Sequence, residues 1–198
     1  MNLPNRLTVA RIIATPLFMA TVLIQKIPFN YTVALLLFIV ASLTDMLDGK
    51  IARSRHLITN FGKFLDPVAD KMLTTAAFLG FMIIMPTDAL KIQLTVITFI
   101  TLFREFTVSS VRLVVVSSEI KKVIPANIWG KLKTVTQMAS IIIGLLAYSV
   151  REIGLVNETV FGYIILVFTA VAWASAVLCI VSGIIYLNES KDFIDSSK

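Results

Sequence analysis

The sequence predicts an all-α integral membrane protein with six transmembrane helices. Three observations lead there. Of the 198 residues, 57% are hydrophobic and 15% charged, where an ordinary globular sequence carries about 25% charged residues. The mean hydropathy is +0.88. Several uncharged runs approach the roughly 20 residues that a helix needs to cross the hydrocarbon at about 1.5 Å per residue. The net charge of +6 does not indicate nucleic acid, because the basic residues stand between apolar runs, where topology and anionic lipid or phosphate explain them better.

The first span runs from Leu7 to Gln25 with Pro16 as an internal kink. It lacks a small-residue cleavage site, so a retained span is expected rather than a removed signal peptide. The second runs from Tyr31 to Asp48, and the third from Gly62 to Met85, closed by Pro86 and Asp88. The fourth, Leu90 to Val116, contains Arg104, Glu105 and Arg112, and is long enough to tilt or protrude. Trp129 to Val150 and Thr159 to Leu187 complete the set, and the polar tail Asn188 to Lys198 is expected to fray. No repeat, low-complexity segment or linker divides the chain, which reads as a single transmembrane domain over 1–198.

With six spans the connections alternate sides. One side collects Arg6, Lys50, Arg53, Arg55, Lys63, Lys121, Lys122, Lys131, Lys133, Lys191 and Lys198; the other holds only Lys26, Lys91 and Arg151. The positive-inside rule makes the first side cytoplasmic, together with both chain ends and the polar cavity expected to hold the active site. Cys179 is the single cysteine, so no intrachain disulfide forms, and it reads as a small core or lipid-facing residue. His56 reads as solvated, Trp129 as an interfacial anchor, and Trp173 as lipid-facing or packed.

Four carboxylates stand beside these apolar runs. Asp45 and Asp48 are three residues apart, Asp66 and Asp70 four apart, so each pair projects from one helical face. Brought together, the pairs would repel and bear a heavy desolvation cost unless some were protonated or divalent cations lay among them. Cations are the better account: Mg²⁺ or Mn²⁺ prefers carboxylate oxygens, and two ions sharing such ligands suit phosphoryl chemistry on a diphosphate. Any one of the four, taken alone, is equally a solvated helix-end charge. Gly49 and Gly62 leave room for a close approach, or mark packing sites or helix breaks. Arg53 can fork onto a phosphate, and Pro67 is expected to start or bend the third helix near Asp66.

Asp45, Asp48, Gly49, Ala52, Arg53, Gly62, Asp66 and Asp70 together spell DxxDGxxAR, eight residues, GxxxDxxxD. This closely resembles the motif of the CDP-alcohol phosphotransferase family of membrane enzymes. The resemblance implies six transmembrane helices, a homodimer, and displacement of CMP from a CDP-linked donor by an acceptor hydroxyl. It further implies that Asp45, Asp48 and Asp66 are metal ligands and that Asp70 is a ligand or the base. Gly49 and Arg53 would line the nucleotide site. The spacing alone leaves the base open between Asp66 and Asp70. A membrane location follows, the inner membrane if the source is a bacterium.

A second region bears on the acceptor. Arg104 and Arg112 are eight residues apart, near one helical face, and charge at that depth needs a partner or a polar cavity. Glu105, seven residues before Arg112 on its face, can pair with one arginine, but not also account for Arg104, Lys131 and Lys133. An anionic acceptor is therefore preferred, held by Arg104, Arg112, Lys131 and Lys133. The segments REFxVSxxR, GKxKT and the opening NxPNxLTxxR look like the branch of the family that takes CDP-diacylglycerol as donor and sn-glycerol 3-phosphate as acceptor. There Asn5 and Thr8 would help hold the nucleotide, although a helix cap accounts equally well for Thr8.

Other readings are the same chemistry with phosphatidylglycerol, serine or an inositol phosphate as acceptor, an aromatic prenyltransferase, or a divalent-cation carrier. Gly49, Ala52, Arg53 and the small number of spans disfavour the prenyltransferase. The carrier gives no reason for Arg53, Arg104 and Lys131 near a cation path, where they would repel the cargo.

Overall fold

The structure, a computed structural model, describes the backbone of residues 3–54, 60–117 and 128–195, and the side chains of 5–44, 62, 65, 67–113 and 128–190. Six helices follow one another: α1 (Leu3–Leu23), α2 (Asn30–Ser54), α3 (Asn60–Ile84), α4 (Asp88–Ser117), α5 (Ile128–Glu152) and α6 (Glu158–Asp195). No strand occurs among the described residues. Short connections fold successive helices back on one another, so the ends of α2, α4 and α6 share one end of the bundle with the starts of α1, α3 and α5.

A hydroxyl and an amide side chain begin two of the helices and a glycine ends one. Thr87 Oγ1 accepts from Leu90 N–H at 3.3 Å at the start of α4, and Asn157 Oδ1 accepts from Val160 N–H at 2.9 Å at the start of α6. At the end of α5, Gly154 takes a φ of 77°. That left-handed turn lets Leu155 N–H reach back to Val150 O at 3.0 Å.

α1 packs against both α2 and α3, α5 against α2 and α6, and α4 against α3 and α6. Phe18, Phe38, Phe78, Phe81, Leu145 and Phe168 are fully buried between them. The end remote from the aspartates is closed by aromatic rings: Phe81 lies 4.8 Å from Phe168, Tyr148 lies 4.8 Å from Tyr31 and 5.2 Å from Phe161. Tyr148 also donates its hydroxyl to Ile84 O at 2.8 Å, tying α5 to the last turn of α3. α6 is apolar nearly all round, so size rather than polarity selects its buried stripe: Ala172, Ser175, Ala176, Cys179, Ser182 and Gly183 are buried. Small residues let helices approach closely where lipid gives no hydrophobic drive to associate. Their hydroxyls turn back on the helix, Ser175 Oγ to Ala172 O at 2.7 Å and Ser182 Oγ to Cys179 O at 3.1 Å. Trp173 is packed, donating Nε1–H to Gln93 on α4 at 3.1 Å.

Among the described residues five helices are long and apolar enough to cross a membrane. In α2 the apolar run among the described side chains is Asn30–Thr44, and the helix continues through Asp45 and Asp48 to Ser54. Pro67 neither starts nor ends α3. It sits inside the helix, seven residues after Asn60 and with its ring exposed, where the carbonyl that loses its donor lies near the polar end of the bundle and within reach of water. The tail also departs from expectation. α6 runs on to Asp195, and Ser190 is buried, with its hydroxyl on Tyr186 O at 2.6 Å. Extending a helix already nucleated in the membrane costs far less than starting one.

Gly144 marks the tightest approach. A methyl group there would stand 2.6 Å from Phe81 Cζ and 2.9 Å from Phe168 Cδ2, whereas one at Gly162 would meet nothing within 4 Å. Gly144→Ala should therefore destabilise by about 1–3 kcal/mol through overpacking, seen as a lower apparent Tm in detergent. Gly162→Ala should leave Tm unchanged or slightly higher.

Candidate active site

Polar residues of α1, α3, α4 and α5 meet at the end where α2 finishes and α3 begins. α1 reaches it first. Asn5, Thr8, Arg11 and Thr15, spaced three, three and four apart, are all buried, forming a polar stripe that gives way to the apolar Phe18 and Val22 farther along. Arg11 is 3% exposed and donates its Nε–H to Ala41 O of α2 at 3.3 Å. A buried arginine in a membrane helix marks polar surroundings. It is a residue that sequence reasoning passed over, although its spacing from Asn5 and Thr8 places it on their face.

Asp45, Asp48, Gly49 and Arg53 lie in the last turns of α2, and Asp66 in the first turns of α3; their side chains are outside the described residues. Gly62 is buried and Asp70 half-buried on α3. The connection between α2 and α3 is residues 55–59, so both aspartate pairs sit at one end of the bundle. Among the described residues no group of three or more metal-ligating side chains occurs. The donor chemistry, four carboxylates on two helix ends joined by a short link, is that of a hard divalent cation.

Beside the aspartates, three helices bring charge to one carboxylate. Glu105 of α4 pairs with Lys133 of α5 through Oε1, with Arg104 Nη1 at 3.4 Å through the same oxygen, and with Lys71 Nζ of α3 at 3.5 Å through Oε2. Lys71 also contacts the Ser109 hydroxyl and donates to Glu105 O at 3.5 Å. Lys133 is the most enclosed of the cations, its side chain 8% exposed. Arg104 Nε is buried with no hydrogen-bond partner among the described residues. The arginine's stem packs on α6, where a methyl group at Gly183 would come 3.2 Å from its Cγ. It backs onto an apolar cavity of about 200 Å³ between α4 and α6, lined in part by Phe103, Cys179 and Leu187.

This pairing differs from the sequence expectation. Glu105 takes Lys133, Arg104 and Lys71, while Arg112, two turns farther on, is exposed with its guanidinium 5.9 Å from the centre of the Tyr186 ring. Lys131 is exposed and lies outside the Glu105 cluster, because residues two apart on a helix do not share a face. Lys71 was missed altogether. It follows Asp70 directly, and in the sequence it reads as part of the aspartate motif.

A model of the CDP-alcohol phosphatidyltransferases matches residues 1–181. The chain belongs to the CDP-alcohol phosphatidyltransferase family. Members are generally dependent on divalent metals. Similar proteins include one from Bacillus subtilis (strain 168) named CDP-diacylglycerol–glycerol-3-phosphate 3-phosphatidyltransferase, 41% identical over 71% of this chain and 74% of its own. A protein of the same name from Rickettsia bellii (strain RML369-C) is 36% identical over 97% of both chains. A cardiolipin synthase (CMP-forming) from Oryza sativa subsp. japonica is 35% identical over 96% of this chain and 57% of its own.

Proposed function

We propose that this family member transfers a phosphatidyl group from CDP-diacylglycerol to sn-glycerol 3-phosphate, giving phosphatidylglycerophosphate and CMP. The relatives of that name, one matched along nearly its whole length, support the reading. The observation that carries it is the position of Lys71. One side chain reaches across to the Glu105 cluster on α4, and the preceding residue is Asp70. A carboxylate of the donor site and a basic cluster suited to an acceptor phosphate are thus adjacent in the chain.

In this reading Asp45, Asp48, Asp66 and Asp70 hold Mg²⁺ or Mn²⁺, as two ions. A metal held there would supply charge to neutralise the diphosphate of the donor and the departing CMP. Asn5, Thr8, Gly49, Arg53 and Gly62 line the nucleotide site, with Arg53 forking onto a phosphate. Arg104, Arg112, Lys131 and Lys133 draw in the acceptor phosphate, arginine by forked contacts and lysine as point charge. The acceptor hydroxyl oxygen forms a bond to the phosphorus that carries diacylglycerol, the bond from that phosphorus to the CMP oxygen breaks, and the hydroxyl proton passes to Asp70. In this reading Asp70 is the base, on the same helical face as Asp66 four residues before it. The surplus of basic residues on that side supports a plasma-membrane protein with both termini and the site facing the cytoplasm, in a bacterial inner membrane. The single transmembrane domain is assembled as a homodimer, which rests on the family resemblance.

CMP release tests this directly. Purified protein given Mg²⁺ and CDP-diacylglycerol should release CMP only when glycerol 3-phosphate is added, and Asp70→Asn should abolish it. Release that requires phosphatidylglycerol, serine or an inositol phosphate instead would overturn the acceptor, and ion flux in liposomes with no CMP release would favour the carrier. Arg112→Ala should raise the apparent KM for glycerol 3-phosphate about tenfold while shifting that for CDP-diacylglycerol less than about twofold. Equal shifts would remove Arg112 from the acceptor site.

A further inference from the structure

Glu105 stands among three cations from three helices. Its Oε1 takes Lys133 and Arg104, its Oε2 and main-chain carbonyl take Lys71, and Ser109 Oγ donates to the same carbonyl at 2.6 Å. Three positive charges less one negative leave the array at plus two. At neutral pH a phosphate monoester carries about −1.5 to −2, so a bound monoester brings the array close to neutral; a phosphodiester, with a single charge, leaves one cation unmatched. The donors are also in place. Among the described residues Lys133 has one partner for its three N–H groups, and Arg104 Nε is a buried donor without one. Without the carboxylate, Lys133 would be a buried cation facing two others, a costly arrangement that the chain would relieve by splaying them.

We infer that Glu105 is the positioning residue of the acceptor site: it holds Lys71, Arg104 and Lys133 as one array whose net charge selects a phosphate monoester over a diester. The inference deepens the proposed function and rests on the cluster being the acceptor site. Lys133 and Arg104 supply direct donors to the phosphate. Lys71 adds charge and fixes the spacing between the array and Asp70.

Steady-state kinetics on the full-length protein test it, with methyl phosphate and dimethyl phosphate as monoester and diester inhibitors. Glu105→Gln should raise the KM for glycerol 3-phosphate and the Ki of methyl phosphate together, by about tenfold, with the KM for CDP-diacylglycerol within about twofold of wild type. Glu105→Asp should recover part of that loss. Methyl phosphate should inhibit the wild type more strongly than dimethyl phosphate, and the gap should narrow in Glu105→Gln. If Lys133→Met raises the acceptor KM while Glu105→Gln leaves it unchanged, the acceptor site stands and the positioning role is overturned. If neither variant moves it, both are overturned. Should Glu105→Gln fail to fold, Lys71→Met at a part-exposed position decides the matter: a rise of about threefold or more in acceptor KM alone supports the array, and an unchanged KM overturns it.

Discussion

A carboxylate on a membrane helix with three cations converging on it is the constraint on which the rest of the polar end depends. Charge inside the bilayer is tolerated only when it is paired or faces water, and Glu105 meets that condition for α3, α4 and α5 together. The pairing fixes how α4 is turned about its axis. Arg104 and Glu105 point inward, whereas Phe99, Phe103 and Phe106 are left exposed to face lipid. Because Lys71 is one of the partners, the start of α3, and with it Asp70, is tied to the same point.

The two ends of the bundle use opposite chemistry for the same purpose. At the far end, Tyr31, Phe81, Tyr148, Phe161 and Phe168 lock four helices by ring packing, and Arg151 caps it by lying 4.4 Å over Phe161 and pairing with Glu158 at 2.9 Å. At the near end, ion pairs on Glu105 take over. The small residues of α6 serve the near end as well: Gly183 gives Arg104 its path along α6.

Much of this architecture is legible in the residues. Every helix except α2 and α6 begins and ends close to its expected limits, since apolar run length responds to bilayer thickness and little else. α2 runs on past Asp48 to Ser54 and α6 past Leu187 to Asp195; polar residues after an apolar run look like a tail until the helix beneath them is seen to continue. Pro67 marks a break in a soluble helix, but in α3 it stands near a solvated end with its ring exposed. The aspartate spacing by itself suggests a metal and a diphosphate, and the CDP-linked donor comes from the motif's resemblance to the family. The acceptor side is harder to read. Face-matching along one helix suggests Glu105 with Arg112, yet two of its three partners, Lys71 and Lys133, come from neighbouring helices, and which cation of α5 turns inward, Lys133 and not Lys131, is decided by packing that a linear pattern does not contain. Arg11 shows the converse case: its spacing from Asn5 and Thr8 was visible, but only burial reveals that it lies inside.

The central claim is that the Glu105 cluster binds the acceptor's phosphate. Calorimetric titration of glycerol 3-phosphate into the purified protein, with Mg²⁺ and CMP present, addresses it without turnover. The account predicts one site per chain, an affinity that falls as salt rises, and a loss of about tenfold or more in Lys133→Met. Binding of unchanged affinity in Lys133→Met, or binding indifferent to salt, would contradict it.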